Sequence, residues 1–219
     1  MLEIVPLVLG FAATNCYLVA EAESGEVVVV DPAWEGQTIL STAMKRGWRI
    51  GQFWYTHAHF DHFGGAAELA EALHASTVPG EKLPLIVAFH ALEKDLWQNE
   101  GGAPLFGMHI QPGPEPTILL VHNQVLHLGS IEFKVLHTPG HSPGHVAFYC
   151  AEAAVLFSGD LIFKSGIGRS DLPGGDSDLL LESIREQVTT LPDETRILPG
   201  HGEETSVGEE KRSNPFLQG

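Results

Sequence analysis

Three imidazoles and a carboxylate fall within six residues at His57-Ala58-His59-Phe60-Asp61-His62. Imidazole nitrogens and carboxylate oxygens are ligands for zinc, iron or manganese rather than calcium. In an extended segment His57 and His59 project to the same side, so both can address one ion. The apolar run Phe53-Trp54-Tyr55 precedes the group, and Gly64-Gly65 and a helix-like stretch over 66–73 follow it. The context is a strand end, a tight loop and a helix start, where side chains stand outward on a rigid scaffold.

Three further segments share this grammar of a short apolar strand followed by a loop carrying His or Asp. His137-Thr138-Pro139-Gly140-His141-Ser142-Pro143-Gly144-His145 follows the strand-like 131–136, and its two Pro-Gly steps force a loop. Phe157-Ser158-Gly159-Asp160 follows the apolar 153–156, and Leu198-Pro199-Gly200-His201-Gly202 follows Arg196-Ile197. Strand ends of this kind point to one shared sheet edge. Read singly, His57, His59 and His62 are surface histidines, and Asp160 and His201 are turn residues. The remaining histidines, 74, 90, 109, 122, 127, 137 and 145, read as surface or supporting groups, with His145 the best placed to support a ligand.

The elements that must position these loops can be read from the pattern. Residues 16–20 and 27–30 flank a Ser24-Gly25 turn and read as a hairpin, closed by Asp31-Pro32. A helix is expected over 38–46, ended by Gly47. The strand 50–56 delivers the first histidine loop, and 85–88 reads as another strand. Residues 90–116 form the longest irregular stretch after a short helix over 91–98. Trp97, Leu105, Phe106 and Met108 within it are costly to expose, so it is a surface connection with packed anchors, a substrate-side wall or a dimer contact. In the second half strands are expected near 125–128, 131–136, 146–150 and 154–157. Asp176 or Ser177 then caps a helix running to about residue 190, with Leu179, Leu180, Ile184, Val188 and Leu191 as its apolar stripe. Two halves of strands plus covering helices suggest an α/β (α+β) chain built as a four-layer αββα sandwich.

The ordered set HAHFDH, TPGHSPGH, SGD and PGHG resembles the metallo-β-lactamase superfamily of hydrolases, from about Asn15 to His201. The resemblance implies the four-layer fold with two adjacent metals at one edge between the sheets. His57, His59 and His141 would hold the first, Asp61, His62 and His201 the second, and Asp160 would bridge them. Two divalent ions are implied, zinc first with iron or manganese as alternatives, separated by roughly 3.5–4 Å and sharing a hydroxide. Asp61 would orient that hydroxide and take its proton, and the reaction would be hydrolysis of an acyl, thioester, amide or phosphoester bond. Within the superfamily, Gly168-Arg169-Ser170-Asp171-Leu172-Pro173-Gly174-Gly175-Asp176 is similar to the short, single-domain glyoxalase II-like branch. There a basic residue holds the glycine carboxylate of glutathione, and Arg169 falls at that position; it also reads as half of an ion pair with Asp171 or Asp176. The family's substrate-binding tyrosine has no counterpart nearby. The expected substrate is S-lactoylglutathione or a related thioester. The alternatives are a mononuclear iron persulfide dioxygenase-like enzyme using His57, His141 and Asp160, and a lactone or ester hydrolase.

Composition sets the outer limits. At 219 residues the chain is expected to be one domain with an ample core. Its 43% hydrophobic and 18% charged content is that of a soluble globular protein. A net charge of −16 argues against nucleic acid or an anionic membrane as partner, but not against a small substrate at a metal site. Cys16 and Cys150 lie in apolar contexts and read as buried free thiols. No apolar run approaches a membrane span, and the first residues lack a signal-peptide pattern, so a cytoplasmic location is expected, as monomer or homodimer.

Overall fold

The computed structural model describes residues 1–76 and 84–218. The first sheet holds β1 (Leu2–Leu9), β2 (Thr14–Glu21), β3 (Glu26–Val30), β4 (Arg49–Trp54), β5 (Ile86–His90) and β6 (Ile118–Leu120), in that spatial order. The first three are antiparallel; β3 to β6 run parallel. Helices α1 (Gly36–Met44), α2 (Phe60–Phe63), α3 (Ala66–Ser76) and α4 (Lys94–Gln98) lie within the connections between them. The second sheet is built from β7 (Val125–Leu128), β8 (Ile131–His137), β9 (Val146–Cys150) and β10 (Val155–Gly159). After a small ribbon of β11 (Ile162–Phe163) and β12 (Gly166–Ile167), α5 (Ser177–Ser183) leads to β13 (Arg196–Pro199), β14 (Thr205–Ser206) and α6 (Val207–Ser213). Its strand order is β14-β13-β10-β9-β8-β7, with β10 and β13 parallel.

Alternation along the strands explains the layers. In β3, Val27 and Val29 join Leu18, Ile39, Phe53, Leu69 and Phe89 in a core between the first sheet and its helices. Val28 and Val30 point the other way, into a core between the sheets with Trp54, Phe133, Phe148 and Phe157. A third core packs Leu156 and Ile197 of the second sheet against Leu180, Ile184 and Val188. A strand buried on both faces reads as an unbroken apolar run, which is why Val27 to Val30 carries no polar residue. These layers make the four-layer αββα arrangement expected from the sequence.

The main differences lie at element ends and edges. The helix expected over 38–46 spans Gly36–Met44. Strand β1 was not anticipated: it alternates between exposed and half-buried positions and contains Pro6, tolerated because β1 is an edge strand. Short β6, β14 and α6 were also missed. Asp176 caps α5 by accepting hydrogen bonds from the N–H groups of Asp178 and Leu179. The helix continues through a wider π turn over Ile184–Val188; in the expected stripe Leu179 is exposed. Cys16 and Cys150 are buried and free. Among the described residues no helix is long and apolar enough to cross a membrane.

Parallel strands bring their C-terminal ends to one edge, and the two sheets are stitched together there. Val146 N–H donates to Thr56 O at 2.8 Å, and Asn15 N–H donates to Gly200 O at 2.7 Å. The loop after β8 is seated on α5: Ser183 Oγ donates to Pro139 O at 2.7 Å, and Asp176 N–H donates to Gly140 O at 2.7 Å. Gly140 has φ +132°, and a β-carbon there would land on the backbone of Leu180. We expect Gly140→Ala to destabilise the fold by about 1–3 kcal/mol in denaturant titrations. Gly51→Ala, in β4 with open space around it, should stay within about 0.5 kcal/mol of the parent. Equal stability of the two variants would refute this account of the loop.

Candidate metal centre

Every predicted ligand reaches the shared edge. His57 to His62 follow β4, His141 follows β8, Asp160 follows β10 and His201 follows β13. They form two groups. In the first, His59 Nδ1 lies 2.8 Å from His141 Nε2, which lies 3.2 Å from His57 Nε2. In the second, Asp61 Oδ2 lies 3.8 Å from His62 Nε2 and 3.3 Å from His201 Nε2. Asp160 stands between them: its Oδ1 is 3.3 Å from His62 Nε2, and its Oδ2 is 3.7 Å from His141 Nε2 and 3.6 Å from His201 Nε2. Within each group of three the donor atoms lie within 4.8 Å of one another.

This arrangement does not satisfy itself with hydrogen bonds. His62 Nε2 and Asp160 Oδ1 are buried and face each other at 3.3 Å without forming a hydrogen bond, a costly state for polar atoms. The outer ring nitrogens, by contrast, are held. His62 Nδ1 donates to Asp31 Oδ2 at 2.9 Å, and His141 Nδ1 donates to Arg169 O at 2.7 Å. His57 Nδ1 lies 3.0 Å from Thr56 Oγ1, whose own proton goes to Asp31 Oδ2 at 2.7 Å. An Nδ1–H fixed in this way leaves the Nε2 lone pair pointing inward, the tautomer of a metal-ligating histidine. His59 is the exception, turning Nδ1 toward the group. The donor chemistry and the orphaned inner atoms fit a dinuclear metal site.

Electrostatics separates the two groups. Burial, reinforced by its neighbours His62 and His141, pushes His57 well below the usual imidazole range. Burial and His141 push His59 down to about 3. Both rings are therefore neutral, with lone pairs available at neutral pH. For His62 burial opposes charge, but Asp160 and Asp61 outweigh it and raise its pKa. Burial likewise opposes ionisation of Asp61, yet His62 and His201 hold it at about 2. Asp160 is ionised for the same reason, with His62 foremost among its partners. Ionised carboxylates in a buried site call for positive charge beside them, a demand that His62 and His201 meet only in part.

Two supporting carboxylates escaped the sequence reading. Asp31, taken there as a strand-closing turn residue, accepts hydrogen bonds from Thr56 N, Thr56 Oγ1 and His62 Nδ1. Glu93, fully buried, accepts from Ala58 N at 2.8 Å, Ser142 Oγ at 2.8 Å and Gly144 N at 2.7 Å, clamping the first two ligand loops together. Neither carries a local signal beyond an acid beside an apolar run. His145 takes the supporting place expected of it: its Nε2 accepts from Asp160 N at 3.1 Å, and its Nδ1 contacts Thr138 Oγ1 at 2.8 Å. Arg169 forms the ion pair, with Nε 2.7 Å and Nη2 2.8 Å from the two oxygens of Asp171. A cavity of about 510 Å³ opens beside the donors, lined by His59, Asp61, Asp160 and Arg169 among others. The irregular stretch supplies Leu105 and Phe106 to its wall, while Trp97 is buried as an anchor.

Asp31→Asn keeps an oxygen for Thr56 N but removes the acceptor that orients His62. We expect metal affinity to fall about 10- to 100-fold, most at the second group, which loses the direct acceptor of His62, and less at the first, which Asp31 reaches through Thr56. Metal content after dialysis against graded chelator checks this; unchanged retention of both ions would refute the role given to Asp31.

The geometry agrees with known proteins. The sequence model of the metallo-β-lactamase superfamily matches residues 9–201. Hydroxyacylglutathione hydrolase GloC of Haemophilus influenzae is 34% identical over 220 residues, covering 99% of this chain and 97% of that protein. The crystal structure of the BLEG-1 B3 metallo-β-lactamase superposes with a TM-score of 0.88 at 34% identity over 100% of both chains. That of TTHA1623 in a di-iron-bound form gives 0.85 at 41% identity, over 97% of this chain and 100% of that one. With the sequence match spanning both sheets and every ligand loop, this chain belongs to the metallo-β-lactamase superfamily.

Proposed function

We propose that this metal-dependent hydrolase is a thioesterase that cleaves S-lactoylglutathione or a related thioester. The observation that carries the reading is the complete donor set, with Asp160 reaching both groups, at the side of an open cavity. The likeness to hydroxyacylglutathione hydrolase GloC along nearly its whole length supports the substrate class. His57, His59 and His141 would hold one ion, Asp61, His62 and His201 the other, and Asp160 both; zinc is the proposed metal, with iron or manganese as substitutes. When bound, such ions polarise a carbonyl and acidify water.

The chain's own groups do the rest. Asp61 lines the cavity and is steadied by Thr14 Oγ1, which donates to its Oδ2 at 3.2 Å. It orients the attacking water and receives its proton at the carboxylate. Thiolate is a good leaving group, so no strong acid is needed to protonate it. Consistent with this, the described lining residues include no lysine or tyrosine. Arg169, at the same cavity, is the proposed contact for a substrate carboxylate, which must share or displace Asp171.

Thiol release from S-lactoylglutathione should occur with the purified protein, stop on adding chelator and return with zinc, iron or manganese. His59→Ala and Asp160→Ala should each lower it on the order of a hundredfold or more while leaving the circular dichroism spectrum native. Full activity in either variant sinks the mechanism. One iron per chain with oxygen uptake, in place of two metals with thiol release, would favour the oxygenase instead. Arg169→Ala should raise KM for glutathione thioesters about tenfold with kcat little changed; an unaltered KM would remove Arg169 from substrate binding.

A further inference from the structure

The walls of the cavity have a different character from the donors beside them. Phe11, Phe60, Leu105 and Phe106 form one side; Phe163, Ile167 and Leu172 belong to the β11–β12 ribbon and the loop that follows. The aromatic side is continuous: Phe60 stacks on Phe11 with centroids 6.2 Å apart and meets Phe106 at 5.4 Å. Phe163 approaches the ligand His201 at 6.2 Å, so apolar surface runs up to the donors from this side too. Phe11 is 68% exposed, Leu105 69% and Phe106 52%. Large apolar side chains left open to water around a concave site mark a place where something apolar binds.

The backbone is shaped to present this wall. Gly101 has φ +62°, and a β-carbon there would collide with the backbone of Phe60. The Glu100–Phe106 turn is thereby pressed against the start of α2, which sets Phe106 beside Phe60. Charge points the same way. Arg169 is the one lysine or arginine among the described lining residues, and Asp171 already fills its fork. Asp61 and Asp160 are the other charged residues of the lining apart from its histidines. A substrate recognised mainly through carboxylates finds little here to bind. The volume of about 510 Å³ has room for a hydrocarbon acyl chain as well as part of the thiol that carries it.

We infer that the cavity selects thioesters by an apolar acyl chain, and that hydrocarbon acyl groups of medium length outrank the small hydroxylated lactoyl group. The chain falls to the acyl side because the thiols that carry thioesters are themselves polar. This rests on the thioesterase reading above and specifies its substrate class. In the step itself, water adds its oxygen to the acyl carbon, the C–S bond breaks, and the carboxylic acid and the thiol leave.

The test uses the metal-loaded protein and acetyl, butyryl, hexanoyl and octanoyl thioesters of N-acetylcysteamine, a small neutral thiol. Full burial of a methylene is worth roughly fourfold in affinity, so kcat/KM should climb about two- to threefold per added methylene in this open cavity. Octanoyl thioester should also exceed S-lactoylglutathione. Phe106→Ser and Leu105→Ser, at exposed positions and with native circular dichroism as the control for folding, should flatten the slope. In parallel, calorimetry with the unhydrolysable S-ethyl and S-octyl thioethers of the same thiol should show the octyl compound binding more tightly, and less so in Phe106→Ser. Turnover that is independent of chain length, or faster with S-lactoylglutathione, overturns the acyl selectivity and leaves the hydrolase standing. No turnover of any thioester, with tight octyl binding retained, overturns the thioesterase reading but keeps the apolar specificity of the cavity. Equal binding of the ethyl and octyl compounds overturns the inference on either background.

Discussion

A carboxylate buried in a protein must have its oxygens fully occupied, and at Asp31 that requirement fixes the site. Its two oxygens take Thr56 N–H, the Thr56 hydroxyl and the His62 ring. It holds a left-handed conformation, φ 51°, at the end of β3, an uncommon state for a residue with a side chain. The three bonds tie the end of one parallel strand to the end of the next and set the tautomer of a ligand in the same act. Through Thr56 the constraint reaches His57, whose Nδ1 rests on the hydroxyl that Asp31 orients. Glu93 repeats the solution between different partners, joining the loop of His57 to the loop of His141. The ligands are thus positioned by fixed acceptors outside the ring of donors, and the inner atoms are left facing one another.

Those inner atoms explain what was legible in the sequence. The candidate ligands are local features: four of the seven lie within His57 to His62, and the others sit in loops punctuated by Pro or Gly just past a strand. Chain order alone therefore indicated the candidate residues and the shared edge at which the structure gathers them. Asp31 and Glu93 were not legible because their partners lie far away, 25 and 31 residues in one case and 35 to 51 in the other. An acid after Val27-Val28-Val29-Val30 looks like a turn, and an acid in Ala91-Leu92-Glu93-Lys94 looks like a solvated helix face. Arg169 was ambiguous for a different reason, since its partner Asp171 lies only two residues on. Its sequence context admitted either a substrate contact or an ion pair, and only the structure places Asp171 across its fork.

The fold was read from periodicity with similar success and failure. Strands buried on both faces gave unmistakable apolar runs, as in β3 and β10. The edge strand β1 did not, because one face is open and Pro6 interrupts the pattern. Residues 90–116 resisted because their exposed apolar side chains contradict the usual association of loops with polar surface. The contradiction eases once Leu105 and Phe106, though exposed, are seen to line a cavity.

The stitching of the two sheets at one edge has a thermodynamic consequence. Each group of donors draws on both halves of the chain: His57 and His59 with His141, and Asp61 and His62 with His201. Neither half alone can complete a site, so any ion held there binds the assembled sandwich and not its parts. Loading and assembly are then linked functions, and each ion acts as a fastener whose contribution grows with the free metal concentration. Separation of the sheets at this edge would release any ion held there, which would make metal retention a direct reporter of the union of the two halves.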